Sequence, residues 1–143
     1  MAFENPSREK IKEILEKAGN IAIVGLSDKP DRTSHMIAEA LQSNGYRIIP
    51  VNPVVSGEIL GEKVYPSLKD IPEPIDIVDV FRRSEYTPEI AKEAVEIGAN
   101  VLWLQQGIIN EEAADTAVKG GLTVIMDRCI KVEDSLLIGK RHG

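Results

Sequence analysis

The residues best suited to chemistry crowd the stretch GLSDKPDRTS, where Gly25, Ser27, Lys29, Arg32, Thr33 and Ser34 fall within ten positions. A glycine lets the backbone approach a ligand closely, three hydroxyls can donate hydrogen bonds, and the two side-chain cations attract an anion. If a helix begins near Ser34, its free N–H groups and its dipole add to that attraction, and a pyrophosphate fits the description. The stretch is not G-x-G-x-x-G, because the second and third glycines are missing, and it is not the G-x-x-x-x-G-K-[ST] loop. A surface loop closed by a Ser/Thr helix cap would use the same residues.

Two further segments have similar potential. An NAD site places an Asp or Glu at the end of the second strand to hold the ribose hydroxyls, whereas this chain has Val51-Asn52-Pro53 at that place. Ordinary NAD binding is therefore disfavoured; Asn52 suits either an adenine or ribose contact or a plain Asn-Pro turn. Phe81, Arg82 and Arg83 follow another apolar run. Phe81 can pack against an adenine or an alkyl chain, and a guanidinium can hold a phosphate through two parallel bonds. Adjacent arginines also suit a solvated turn, but beside Lys29 and Arg32 they form an anion patch in a chain of net charge -6.

These segments need a scaffold that brings them together. Ile11, Ile14, Leu15 and Ala18 recur at helical spacing behind Ser7, which predicts a capped amphipathic helix ending at Gly19-Asn20. Ile21 to Val24 reads as a strand covered on both faces. Ser34 is expected to cap a helix that ends near Asn44-Gly45, and YRIIPV forms the second strand. Residues 52–75 are rich in Pro and Gly, so turns are expected there, with a short strand around Lys63 to Tyr65. IDIVDVF predicts a strand, and Thr87 and Pro88 predict the cap and first position of a helix ending at Gly98. NVLWLQQG, a helix opened by Asn110, LTVIMD and a helix around residues 132–138 complete the alternation. Strand and helix in turn call for an open parallel sheet of five to six strands with helices on both faces, in a single domain over residues 1–143. The chain is too short for a closed eight-fold barrel.

Composition narrows the function. The net charge of -6 argues against a general nucleic-acid binder, and six aromatic residues offer no base-stacking platform. There is no run of 18 apolar residues and no apolar N-terminal region, so a cytoplasmic protein without membrane insertion is expected. One cysteine, Cys129, and two histidines, His35 and His142, give no zinc-ligand pattern.

Taken in order, VGLSDKPDRTSH, IIPVNP, DIVDVFRRSE, LWLQQGI and VIMDRCIKVE resemble the small stand-alone CoA-binding proteins. Their domain is similar to the N-terminal domain of the succinyl-CoA synthetase α-subunit. The resemblance runs from about Asn5 to Glu133 and implies a Rossmann-like fold that binds coenzyme A. It implies that Gly25, Ser27, Arg32 and Ser34 surround the CoA phosphates, that Asn52 and Pro53 border the nucleotide, and that Phe81, Arg82 and Arg83 line the next wall. Gln106 and Gly107 match the turn near which a pantetheine arm would run. Cys129 matches a recurrent position of the family, either as a buried structural thiol or as one that exchanges with CoA.

The synthetase reaction needs a phosphorylated histidine from a second domain and a nucleotide-binding partner subunit, neither of which this sequence supplies. His35 follows the proposed phosphate loop without a nucleophile or carboxylate pattern, and acid pairs such as Glu111-Glu112 suit solvated helix starts. The expectation is a non-catalytic CoA or acyl-CoA binding module acting as carrier, sensor or regulatory partner, as a homo-oligomer or with another protein. The alternative is an enzyme on the same fold, an NAD(P)-dependent oxidoreductase or a CoA-linked transferase with a partner.

Overall fold

The computed structural model describes residues 3–141, and His142 lies outside them. Five parallel strands, β1 (Asn20–Val24), β2 (Arg47–Val51), β5 (Ile77–Val80), β6 (Val101–Leu104) and β7 (Thr123–Ile125), form one sheet in the order β2-β1-β5-β6-β7. The expected short strand is one arm of a separate antiparallel hairpin, β3 (Glu58–Ile59) with β4 (Glu62–Lys63), while Tyr65 makes a lone parallel bridge to Val51. The helices α1 (Arg8–Lys17), α2 (Thr33–Ser43), α3 (Thr87–Glu96), α4 (Glu111–Lys119) and α5 (Ile130–Leu137) supply the crossovers.

Side-chain alternation along each strand divides the core into two layers. Ile21, Ile23, Ile77, Val101 and Trp103 face α1, α2 and α5, meeting Ile11, Leu15, Ile37, Leu41 and Ile130. Ala22, Val24, Val78, Val80 and Leu102 face α3 and α4, meeting Ile90, Ala91, Ala94, Ala113 and Ala117. Each fully buried Ile or Leu contributes about 2 kcal/mol. Small residues let α3 and α4 approach closely: a Cβ on Gly120 would stand 2.4 Å from a Val95 methyl.

Helix starts follow local chemistry. Ser7 accepts from the Lys10 N–H at 3.2 Å, and Asn110 accepts from the Ala113 N–H at 2.9 Å, as caps do. Ser34 instead lies inside α2, whose N-cap is Arg32. Thr87 likewise lies inside α3; its hydroxyl donates to the Ser84 carbonyl at 2.6 Å across a preceding 3-10 turn. The last helix starts at Ile130, ahead of the expected Val132, because Gln105 Oε1 accepts from the Ile130 N–H at 3.1 Å in place of a local cap.

Both sheet edges are occupied. Pro50 has no N–H to offer and sits in edge strand β2, where its carbonyl accepts from the Tyr65 N–H at 3.0 Å. Beyond β7, the Asn5 side-chain amide exchanges two hydrogen bonds with the Met126 backbone, both at 2.8 Å. At the amino edge, Arg47 holds Glu73 through two bonds at 2.8 Å. The Tyr46 hydroxyl donates to Asp134 at 2.7 Å, and burial followed by that carboxylate pushes its pKa well up.

The two acids of IDIVDVF have separate structural places. Asp76 caps the start of β1, accepting from the Gly19 and Asn20 N–H groups at 2.9 and 2.8 Å. Asp79 is 0% exposed, and neither carboxyl oxygen has a hydrogen-bond partner among the described residues. Burial raises its pKa well above the usual carboxylate range. The folded protein therefore holds its proton at a pH where the unfolded chain, with an ordinary pKa of about 4, has released it. Stability is full below that unfolded value and falls as pH rises toward the folded one, by about 1.4 kcal/mol for each pKa unit of difference. Asp79→Asn should remove this fall, so that urea midpoints measured from pH 4 to pH 8 decline in the parent but lose that component in the variant.

Candidate functional site

The order of the sheet reverses between β1 and β5, and the loops after these strands diverge to opposite sides of the crevice where open α/β sheets bind ligands. Gly25 makes their junction possible. It has φ 87°, and a Cβ there would lie 2.6 Å from the Phe81 carbonyl oxygen and 3.1 Å from Arg82 Cδ. Its own N–H donates to the Val51 carbonyl at 2.9 Å, so three strand ends meet at one glycine.

A cleft of about 530 Å³ opens over this junction. Its walls include Gly25, Ser27, Arg32, Thr33, Ser34, Asn52 and Phe81, most of the residues expected around a phosphate-bearing ligand. A second cleft of about 420 Å³ adjoins it through Thr33 and Phe81 and includes Arg82, Arg83, Gln105, Gln106 and Cys129. Pro53 and Gly107 stand outside both walls. Gly107 serves the loops instead, donating its N–H to Asp127 at 2.7 Å.

The first loop is stapled so that its donors face outward. Ser34 Oγ accepts from the Ser27 N–H at 3.1 Å, and Ser27 Oγ accepts from the Lys29 N–H at 3.1 Å. Each hydroxyl uses an acceptor lone pair on the loop and keeps its own hydrogen for a ligand. Among the described residues no side chain caps α2, and its first turn contains no acid, which leaves the positive end of the helix open to the cleft. Asp28 and Asp31 also border the cleft and limit its positive character.

Asn52 plays a different part. Its Nδ2 donates to the Leu26 carbonyl at 2.9 Å and its Oδ1 accepts from the Val54 N–H at 2.9 Å, so the side chain ties the loops after β1 and β2 together. Among the described residues, Lys29, Arg32, Arg82 and Arg83 form no ion pair, while Arg47 at the opposite edge pairs with Glu62 and Glu73. The Arg82 guanidinium lies over the Tyr86 ring at 4.6 Å, which orders it without neutralising it.

Sequence reasoning missed Gln105. It is 4% exposed, lines the second cleft, and anchors the start of α5 through Ile130. Strand alternation carries the signal, since Val101, Trp103 and Gln105 fall on one face, but the pair Gln105-Gln106 reads as an exit turn. The loop bearing Cys129 is fixed from below as well, where Trp103 Nε1 donates to the Arg128 carbonyl at 2.9 Å.

The parallel sheet, its helices and the crevice where strand order reverses define a Rossmann-like α/β domain. The chain belongs to the CoA-binding domain family, whose model matches residues 19–135. The uncharacterized Bacillus subtilis protein YneT is 58% identical over 130 residues, spanning 91% of this chain and 96% of its own length. A hypothetical protein from Pyrococcus horikoshii superposes with a TM-score of 0.90 at 38% identity, covering 97% of this chain and all of its own. The α subunit of an ADP-forming acetate–CoA ligase from Pyrococcus furiosus is 26% identical over 129 residues, spanning 79% of this chain but only 28% of the subunit.

The junction at Gly25 gives a direct test. Gly25→Ala adds a methyl group where the Phe81 carbonyl stands and requires a left-handed backbone. It should lower unfolding stability by about 2–4 kcal/mol. Gly57→Ala, with the same sign of φ and no neighbour within 4 Å, should cost only about 1 kcal/mol. Equal urea midpoints for the two variants would remove the close-approach argument.

Proposed function

We propose that this protein binds coenzyme A or an acyl-CoA in the two adjoining clefts, as a module without chemistry of its own. The observation that carries the reading is the set of unspent donors and cations at one sheet edge: the Ser27 and Ser34 hydroxyls, the open start of α2, and Arg32, Arg82 and Arg83. CoA carries a pyrophosphate and a ribose phosphate that would use them. Its 3′-phosphate removes the free ribose diol for which an NAD site supplies an acid, and the residue at that place here, Asn52, is not an acid and ties two loops together. Family membership supports the same ligand.

In this reading the nucleotide occupies the cleft over Gly25 and the pantetheine arm crosses between Thr33 and Phe81 into the second cleft. A carrier, sensor or regulatory subunit would need no more than this.

Calorimetric titration with CoA, 3′-dephospho-CoA, NAD and ATP tests it. CoA should bind below millimolar concentration, dephospho-CoA more weakly, and NAD and ATP more weakly still. Losing two charge-assisted contacts in Arg32→Ala/Ser34→Ala should weaken CoA by roughly 100-fold with an unchanged far-ultraviolet dichroism spectrum. No heat with CoA, or unchanged affinity in the double variant, would count against the site.

A further inference from the structure

Asp79 is a buried side chain that packing alone does not explain. It lies between Ile77 and Phe81 on one face of β5, and Phe81 continues the ladder by donating its N–H to the Val24 carbonyl at 2.9 Å. Phe81 lines both clefts. Two residues along a strand span about 7 Å, so Asp79 stands one step beneath the place where the clefts adjoin. Its register partners, Ile23 and Trp103, are apolar and fully buried. Among the described residues neither Asp79 oxygen has a partner, so the carboxyl costs free energy that an apolar side chain at the same place would not.

The elements packed on this face bring few charges to it. Ile11 and Leu15 come from α1; α2 brings Ile37 and Leu41 and also bears buried His35; α5 brings Ile130 and bears buried Glu133 and Asp134, with Cys129 just before it. Asp134 is engaged by Asn44 and Tyr46. None of these groups hydrogen-bonds Asp79, so burial without a compensating cation keeps its carboxyl neutral. Beyond Phe81 stand Arg82 and Arg83 in the second cleft, and Arg32, Asp28 and Asp31 in the first.

We propose that Asp79 makes ligand binding proton-linked: the clefts hold a polyanion most tightly while this carboxyl is neutral, and occupied clefts keep the proton on Asp79. The inference rests on CoA occupying the clefts as described above. With the clefts empty, the field of the three arginines favours ionisation, and the proton leaves as pH rises. A bound pyrophosphate and 3′-phosphate cancel that field and set negative charge above a group that water does not screen. Carboxylate and ligand then repel each other. Linkage makes the two effects equal, so an upward move of the Asp79 midpoint on binding reappears as lost affinity when Asp79 ionises.

Trp103 reports on this directly, because it is the one tryptophan of the chain and pairs in register with Asp79. Its fluorescence is titrated from pH 5 to pH 10 with and without saturating CoA, in the parent and in Asp79→Asn, while far-ultraviolet dichroism marks where the fold is lost. The parent should show a transition that the variant lacks, and CoA should raise its midpoint by about one pH unit. Over the same interval the calorimetric affinity for CoA should fall about tenfold more in the parent than in the variant, which still binds CoA at pH 6. A midpoint that CoA leaves in place would overturn the proposal. So would one pH profile of affinity shared by both proteins, or no Asp79-dependent transition before the fold is lost. Absence of CoA binding at every pH, beside a normal Asp79 transition in the free protein, would instead overturn the ligand assignment itself.

Discussion

The structure turns on the contact between Gly25 and the Phe81 carbonyl, where the ends of two neighbouring parallel strands come too close for any side chain. Reversal of strand order opens a crevice in any sheet of this kind. Here the missing Cβ closes the floor of that crevice and leaves its walls apart. The loop after β1 then enters α2 at a fixed angle, the loop after β5 brings two arginines alongside, and Asn52 ties in the loop after β2. All these placements depend on one backbone position that only glycine occupies without strain.

Electrostatics adds a second layer to this geometry. The chain is acidic overall, yet among the described residues Lys29, Arg32, Arg82 and Arg83 at the carboxyl edge of the sheet form no ion pair, whereas Arg47 at the amino edge is held by two acids. Pairing spends a charge locally; leaving it unpaired keeps its field available to an incoming anion. The serine hydroxyls follow the same logic at shorter range, because each accepts from the loop backbone and keeps its donor hydrogen. The loop is therefore ordered by bonds that use the acceptor side of these hydroxyls and leave their donor hydrogens available.

Much of this was legible in the sequence. Apolar runs ending in Gly25, Phe81 and Gln105 identified the strands, and Ser7 and Asn110 cap the helices as their positions suggest. The family motifs located most of the cleft walls. What could not be read were roles set by partners distant in the chain. Ser34 looks like a helix cap because a hydroxyl before an apolar run usually is one; here the loop folds back and makes it a staple for Ser27. Gln105 looks like part of a turn because nothing nearby in sequence reveals that Ile130 lies above it. The type of Asp79 gives no sign of its burial, although it falls two positions after Ile77 on a face that helices cover.

The clamp between Asn5 and Met126 bears on how copies of the chain could associate. In a parallel sheet alternate residues of an edge strand point their N–H and C=O groups outward, and those of Met126 are already engaged by a side chain that imitates a neighbouring backbone. On the far edge Pro50 offers no donor and its carbonyl is satisfied by Tyr65. Extension of the sheet from one molecule into the next is thus discouraged at both ends, which directs self-association toward the helical faces and away from the strand ladders that seed aggregates.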